Sequence, residues 1–174
     1  MKEKNILKFY LLATTLKEKI RSGLILWKVN KERLESVAEH IYGTCILAIS
    51  IDSEYELDIN LDKVLKMLVL HELEEVIIGD LTPFDNVTRE EKLKSGKEAV
   101  SKILKDLVKK EEYELLLDEF NAHITNESIF SYMCYKLECD IWIKLNEDLG
   151  YNNIKEKNLK PLENRKIKEL MKKA

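Results

Sequence analysis

Apolar residues recur at helical spacing along most of the chain. Ile6, Phe9, Tyr10, Ala13 and Leu16 predict a first helix over 3–20, which Gly23 ends, followed by a mixed loop over 24–30. A second stripe (Val37, Ile41, Cys45, Ala48) predicts a helix from about 31 to 53. The segment 57–60 reads as a connector, with Asn60 as N-cap of the next helix. That third helix, LDKVLKMLVLHELEEVII, is the most apolar, and Gly79 ends it. A loop follows, Asp80-Leu81-Thr82-Pro83-Phe84-Asp85. Thr88 and Glu91 form a capping-box pattern that opens a fourth helix to about 109. Further helices are expected over 111–122 and 126–148, and a lysine-rich terminal helix over 158–173. The pattern predicts a single all-α domain of six or seven helices, with no strands.

Composition narrows the class. At 174 residues the chain suits one domain with its own core. Five Gly and two Pro are too few for the many turns of a β-sandwich or barrel. A formal net charge of −3 is not that of a strongly basic nucleic-acid binder. Cys45, Cys134 and Cys139 form no CxxC, which indicates reduced thiols and neither a disulfide framework nor a zinc knuckle. No run approaches the ~20 apolar residues of a membrane span, and the N-terminus lacks the features of a signal peptide. The expectation is a cytoplasmic protein that engages no membrane and no nucleic-acid polymer.

The candidate chemistry is concentrated in the third helix. His71 lies deep in its apolar stretch, followed by Glu72, Glu74 and Glu75. Burying such groups is costly unless something compensates them, and a metal ion is one way to do so. Ion pairs with Lys or Arg are the other. On a regular helix His71 and Glu75 share a face, with Glu72 about 100° around. HExxE lacks the second histidine of a zincin. His40, within ESVAEH, is a second imidazole on a neighbouring helix. Asp80 either caps a turn or points into the same pocket. Tyr132, Cys134, Tyr135, Glu138, Cys139 and Asp140 cluster on the sixth helix, and His123 reads as a surface or capping residue near a helix end. Phosphate-loop, dinucleotide and serine-nucleophile motifs are missing.

Taken in order, ESVAEH, LHELEEVIIGDLTPFD and YKLECD resemble the HD-domain superfamily of metal-dependent phosphohydrolases, in its bacterial 5′-deoxynucleotidase-like branch. The resemblance spans about 7–145. It implies an all-α fold, often homodimeric, and hydrolysis of a small phosphate ester, a (deoxy)nucleoside 5′-monophosphate. By that resemblance His40, His71 and Glu72 hold a divalent cation (Mn, Co, Mg, Fe, Ni or Zn). Glu72 stands where the family has Asp. Glu75 and Asp80 match its catalytic acids. Arg21, in Arg21-Ser22-Gly23-Leu24, matches the phosphate-facing arginine of a segment whose Trp is absent here. The ungapped alignment puts Tyr135 at the family's last metal aspartate, with Glu138 and Asp140 as other candidates for a fourth position. Those two changed positions keep open an alternative, a degenerate domain that binds a nucleotide or partner without turnover. A purely structural helical module is the third reading.

Overall fold

The computed structural model describes residues 2–26, 29–82 and 85–150. Those residues form eight α-helical segments: α1 (Lys2–Ala13), α2 (Ser22–Leu26), α3 (Val37–Tyr55), α4 (Leu61–Leu70), α5 (Glu75–Ile78), α6 (Arg89–Leu104), α7 (Lys110–Ala122) and α8 (Asn126–Asp148). Six have ten residues or more, in line with the six or seven expected. The helix expected over 158–173 lies outside the described residues, as do Pro83 and Phe84. The described residues contain no strand, only an isolated antiparallel bridge between Ile20 and Ser36.

Local chemistry sets the ends of these helices. Asn60 accepts a hydrogen bond from the Lys63 amide at 3.0 Å. Thr88 and Glu91 form the expected capping box. Gly79 closes α5 at φ 79°, a left-handed conformation that favours glycine. α1 is shorter than expected because Thr14 and Thr15 turn their hydroxyls back onto the Tyr10 and Leu12 carbonyls, each at 2.7 Å. The chain there tightens into a 3-10 turn, Thr14–Lys17. α3 begins at Val37, not near residue 31, because Ser36 and Glu39 make a second capping box. α6 stops at Leu104, short of 109, where the Leu107 amide bonds back to the Leu104 carbonyl and the Leu107 side chain packs on the core. A short helix, α2, replaces part of the loop expected over 24–30. Its Ser22 amide donates to Asp80 Oδ2 at 2.6 Å, and Leu24 is buried.

The core is in two parts. Ala48, Val64, Leu68, Phe130 and Cys134 join α3, α4 and α8. Leu73, Val100, Ile103, Leu104 and Leu117 join the start of α5 to α6 and α7. Leu68 and Leu73 belong to different clusters, so the residues between them are anchored from both sides. Each fully buried leucine of this kind contributes about 1.5–3 kcal/mol of transfer free energy.

The segment 61–78, expected as one helix, breaks at His71. The His71 ring donates from Nδ1 to the Leu68 carbonyl at 2.6 Å, the group that the Glu72 amide would bond in a regular helix. The following amides bond three residues back: Leu73 to Leu70, Glu75 to Glu72, Val76 to Leu73. This tighter winding brings residues i and i+3 into line. Glu75 therefore lies over Glu72, rather than over His71 as the regular-helix reading has it.

Candidate metal centre and its cavity

His40, on α3, and His71, at the end of α4, are both buried, with ring centroids 5.6 Å apart. His40 Nδ1 is 2.5 Å from Glu138 Oε2 of α8. His71 Nδ1 is bonded to a carbonyl, which only accepts, so the ring proton is on Nδ1 and Nε2 carries a lone pair. Burial first, then the Arg21 charge among others, drives both imidazoles toward the neutral form. The Nε2 atoms of both rings are buried without a hydrogen-bond partner. They face the same atom: Glu72 Oε1 is 3.4 Å from His71 Nε2 and 3.9 Å from His40 Nε2.

Two lone pairs and an anionic oxygen converging in a buried space repel one another unless a cation lies between them. Ligand atoms from His40, His71 and Glu72 fall within 4.8 Å of one another, close enough to share one ion. Neutral imidazoles and a carboxylate are the deprotonated donors that a divalent metal takes. Each ring is also oriented through its other nitrogen, as metal-binding histidines usually are. The donor set fits a divalent cation.

Acid–base asymmetry surrounds Glu72. Burial works against its charge, but the Arg21 guanidinium and a hydrogen bond from Glu75 hold its carboxyl below the usual range. Glu75, also buried, is pushed the other way by burial and by the adjacent Glu72 charge. The proton of this pair therefore rests on Glu75, which donates it to Glu72. Arg21 is placed by the pairing of 19–21 with 35–37: its amide bonds the Glu35 carbonyl, and the Val37 amide bonds the Lys19 carbonyl. Its guanidinium is 3.7 Å from Glu72 Oε1 and donates to Cys139 Sγ at 3.1 Å. Asp80 caps the segment that carries Arg21, through Ser22.

Of the three candidates for a fourth position, Glu138 is bonded to His40. Gly43 leaves it room: a Cβ there would lie 2.7 Å from Glu138 Oε1. Tyr135 is half-buried, with its ring 5.4 Å from His40 and 5.2 Å from His71. Burial pushes its phenol well above the usual range, so it is neutral. Asp140 is half-buried and belongs to neither group of residues able to hold an ion. Cys139 forms a second such group with His40 and Glu138. Burial raises its thiol to about 11, which makes it a poor thiolate donor.

A cavity of about 750 Å³ opens beside the cluster, with His71, Glu72 and Tyr135 in its wall. Arg21 is not among its lining residues. Arg89, Lys92, Lys97 and Lys136 bring positive charge to it beside the acids Glu74, Glu98, Glu114 and Asp118, and Phe120, His123 and Tyr132 bring rings. None of these cations has an expected role from the sequence; His123, expected as a surface or capping residue, caps the C-terminus of α7 and also lines the cavity. Arg89 and Lys92 lie on α6 with no motif to single them out. Only the Tyr132–Tyr135–Lys136 spacing on one helix face was there to be read.

Similarity to known proteins agrees with this geometry. A family model described as HD domain matches residues 13–174. The 5′-deoxynucleotidase HDDC2 of Bos taurus is 32% identical over 149 residues, covering 84% of this chain and 70% of that protein. Its Homo sapiens counterpart is 30% identical, covering 85% and 71%. Among solved structures, a conserved hypothetical protein from Pyrococcus furiosus superposes with a TM-score of 0.76 at 27% identity, over 96% of this chain and 97% of its own. A structure from Magnetospirillum magnetotacticum named as a predicted metal-dependent phosphohydrolase shares the fold, with a TM-score of 0.65 at 20% identity, over 78% and 67%. The match runs through α3, the broken helix at His71 and α8, and so through every element that contributes to the cluster: this chain belongs to the HD-domain family.

Proposed function

We propose that this protein is a divalent-metal phosphohydrolase that releases phosphate from a (deoxy)nucleoside 5′-monophosphate. The observation that carries the reading is the pair of unpartnered Nε2 atoms facing Glu72 beside a large cavity. The names of the relatives, as 5′-deoxynucleotidases, support the substrate class. His40, His71 and Glu72 would hold the metal, which supplies Lewis-acid polarisation of a phosphoryl oxygen and lowers the pKa of water. Arg89, Lys92 and Lys136 are the cavity cations able to pair with the dianionic phosphate. Arg21 fixes the Glu72 carboxylate and keeps it anionic. Glu75, buried behind the cavity wall, holds a proton against Glu72 and so fixes the orientation of that carboxylate. Asp80 positions the Arg21 segment through the Ser22 amide.

The test is phosphate release from a panel of deoxy- and ribonucleoside 5′-monophosphates by protein loaded with Mn²⁺ or Co²⁺. Release from none of them overturns the reading. Tyr135, neutral and beside both imidazoles, favours a second reading, binding without turnover. Nucleotide-induced stabilisation with no phosphate release supports that alternative.

Two expectations accompany the proposal. Unpaired Cys45, Cys134 and Cys139 support a reducing compartment such as the cytoplasm. Ile6, Leu7, Tyr10 and Leu11, more than half exposed on α1, support a homodimer. No described helix is long and apolar enough to cross a membrane.

A further inference from the structure

We infer that Tyr132 and His123 form the seat for the nucleobase and set the preference of the cavity for nucleotides over simple sugar phosphates. The inference rests on the phosphohydrolase reading, because it takes the phosphate to lie against His71 and Glu72. From there the rings of α8 lead along the cavity wall. Tyr135 is 5.2 Å from His71, and Tyr132, one turn earlier on the same helix face, is 6.0 Å from Tyr135. His123 lies against Tyr132 with centroids 3.9 Å apart and planes inclined by 33°. Both residues line the cavity and neither is fully buried, so the pair offers ring surface to a ligand. A nucleotide with its phosphate at the cluster carries its base one sugar away, toward this pair.

His123 has φ 52° and ψ 43°, a left-handed conformation uncommon outside glycine. Glu56 ends α3 in the same conformation, so it serves to stop the helix. Here the conformation ends α7 and keeps the imidazole on α8, where Phe120 also meets it edge-on at 6.1 Å. Lys136 extends over the Tyr135 and Tyr132 rings, 4.7 and 5.5 Å from their centroids. Its ammonium is thus held at the edge of the seat, available to a base carbonyl, a ring nitrogen or a phosphate oxygen. Stacking accepts any base, since each has a π-face, so the seat selects for a base without selecting which one.

The test compares dAMP with 2-deoxyribose 5-phosphate, which has the same sugar phosphate and no base. Binding to the native chain, Tyr132→Leu and Tyr132→Phe is measured by calorimetry, and contacts of the dAMP ring protons are followed by NMR. The native chain prefers dAMP, and Tyr132→Leu lowers that preference about ten-fold, the loss of one stack at ~1.4 kcal/mol per decade. Tyr132→Phe keeps the preference, because the ring remains. The adenine protons show upfield shifts and cross-relaxation with the Tyr132 and His123 rings. An unchanged preference in Tyr132→Leu, or adenine protons with no ring contact, overturns the seat. If phosphate is still released from dAMP in that case, the seat alone falls. If the native chain neither binds nor hydrolyses either compound, the phosphohydrolase reading falls with it.

Discussion

Gly43→Ala tests the support of the metal centre without touching a ligand. The added methyl would lie 2.7 Å from Glu138 Oε1 and 3.2 Å from its Cδ and Cγ. Those distances are too short to persist, and the Glu138 side chain is the movable partner. Moving it breaks the 2.5 Å contact that orients His40 through Nδ1. Hydrogen bonds to charged groups contribute about 1.5–3 kcal/mol, and losing an orienting partner of a metal histidine typically costs about 10–100-fold in affinity. Alanine inside a helix recovers up to about 1 kcal/mol over glycine. The net expectation is a fold weakened by roughly 1 kcal/mol and Mn²⁺ or Co²⁺ binding weakened about 10–100-fold. Urea melts and calorimetric metal titrations read the two quantities. Glu138→Ala supplies the second arm: in that background Gly43→Ala meets no carboxylate, so metal binding no longer changes and stability rises by up to about 1 kcal/mol. An equal loss of metal affinity in both backgrounds would refute the reasoning, since the effect would then not pass through Glu138.

Leu68→Ala removes a fully buried side chain shared by α3, α4 and α8, and should cost about 2–5 kcal/mol in denaturant melts. Glu35 is pushed up to about 7, by burial first and by the nearby Glu138 charge, with Arg21 opposing. A carboxyl raised in the fold binds its proton there at a pH where the unfolded chain has released it. It therefore lowers stability as pH rises from the ordinary carboxylate range to about 7. Glu35→Gln should flatten that part of the stability–pH curve in metal-free protein, and an unaltered slope would contradict the assignment. Tyr135→Asp places an anionic oxygen donor beside both imidazoles and should tighten Mn²⁺ binding in calorimetric titrations, whereas equal or weaker binding would place residue 135 outside the coordination sphere.

The sequence by itself determined the parts of this protein that local chemistry controls. Helical periodicity, the Asn60 cap, the Thr88–Glu91 box and the Gly79 stop involve groups no more than one turn apart, and the structure shows each of them. The concentration of His71, Glu72, Glu74 and Glu75 in an apolar helix was legible for the same reason, because buried charge needs compensation wherever the helix packs. The Ser36–Glu39 box was equally local, and its serine and glutamate were there to be read. Tertiary structure decided the rest. Nothing in the periodicity of 61–78 announces that the His71 ring will claim the Leu68 carbonyl; that depends on how a buried imidazole finds an acceptor once α3, α7 and α8 surround it. The tighter turn that follows, and not the regular helix, puts Glu75 over Glu72. His40 meets Glu138 across 98 residues of chain, and Gly43 matters only because that carboxylate arrives beside it. The cavity cations and the His123–Tyr132 pair come from three different helices, α6, α7 and α8, whose juxtaposition is set by the burial of Leu73, Val100, Leu104 and Leu117 between α6 and α7 and of Leu68, Phe130 and Cys134 beneath α8. Contacts at such separations leave no periodic trace in a single chain, because hydrophobic burial selects which faces meet, while the polar residues carried on those faces follow passively into the site.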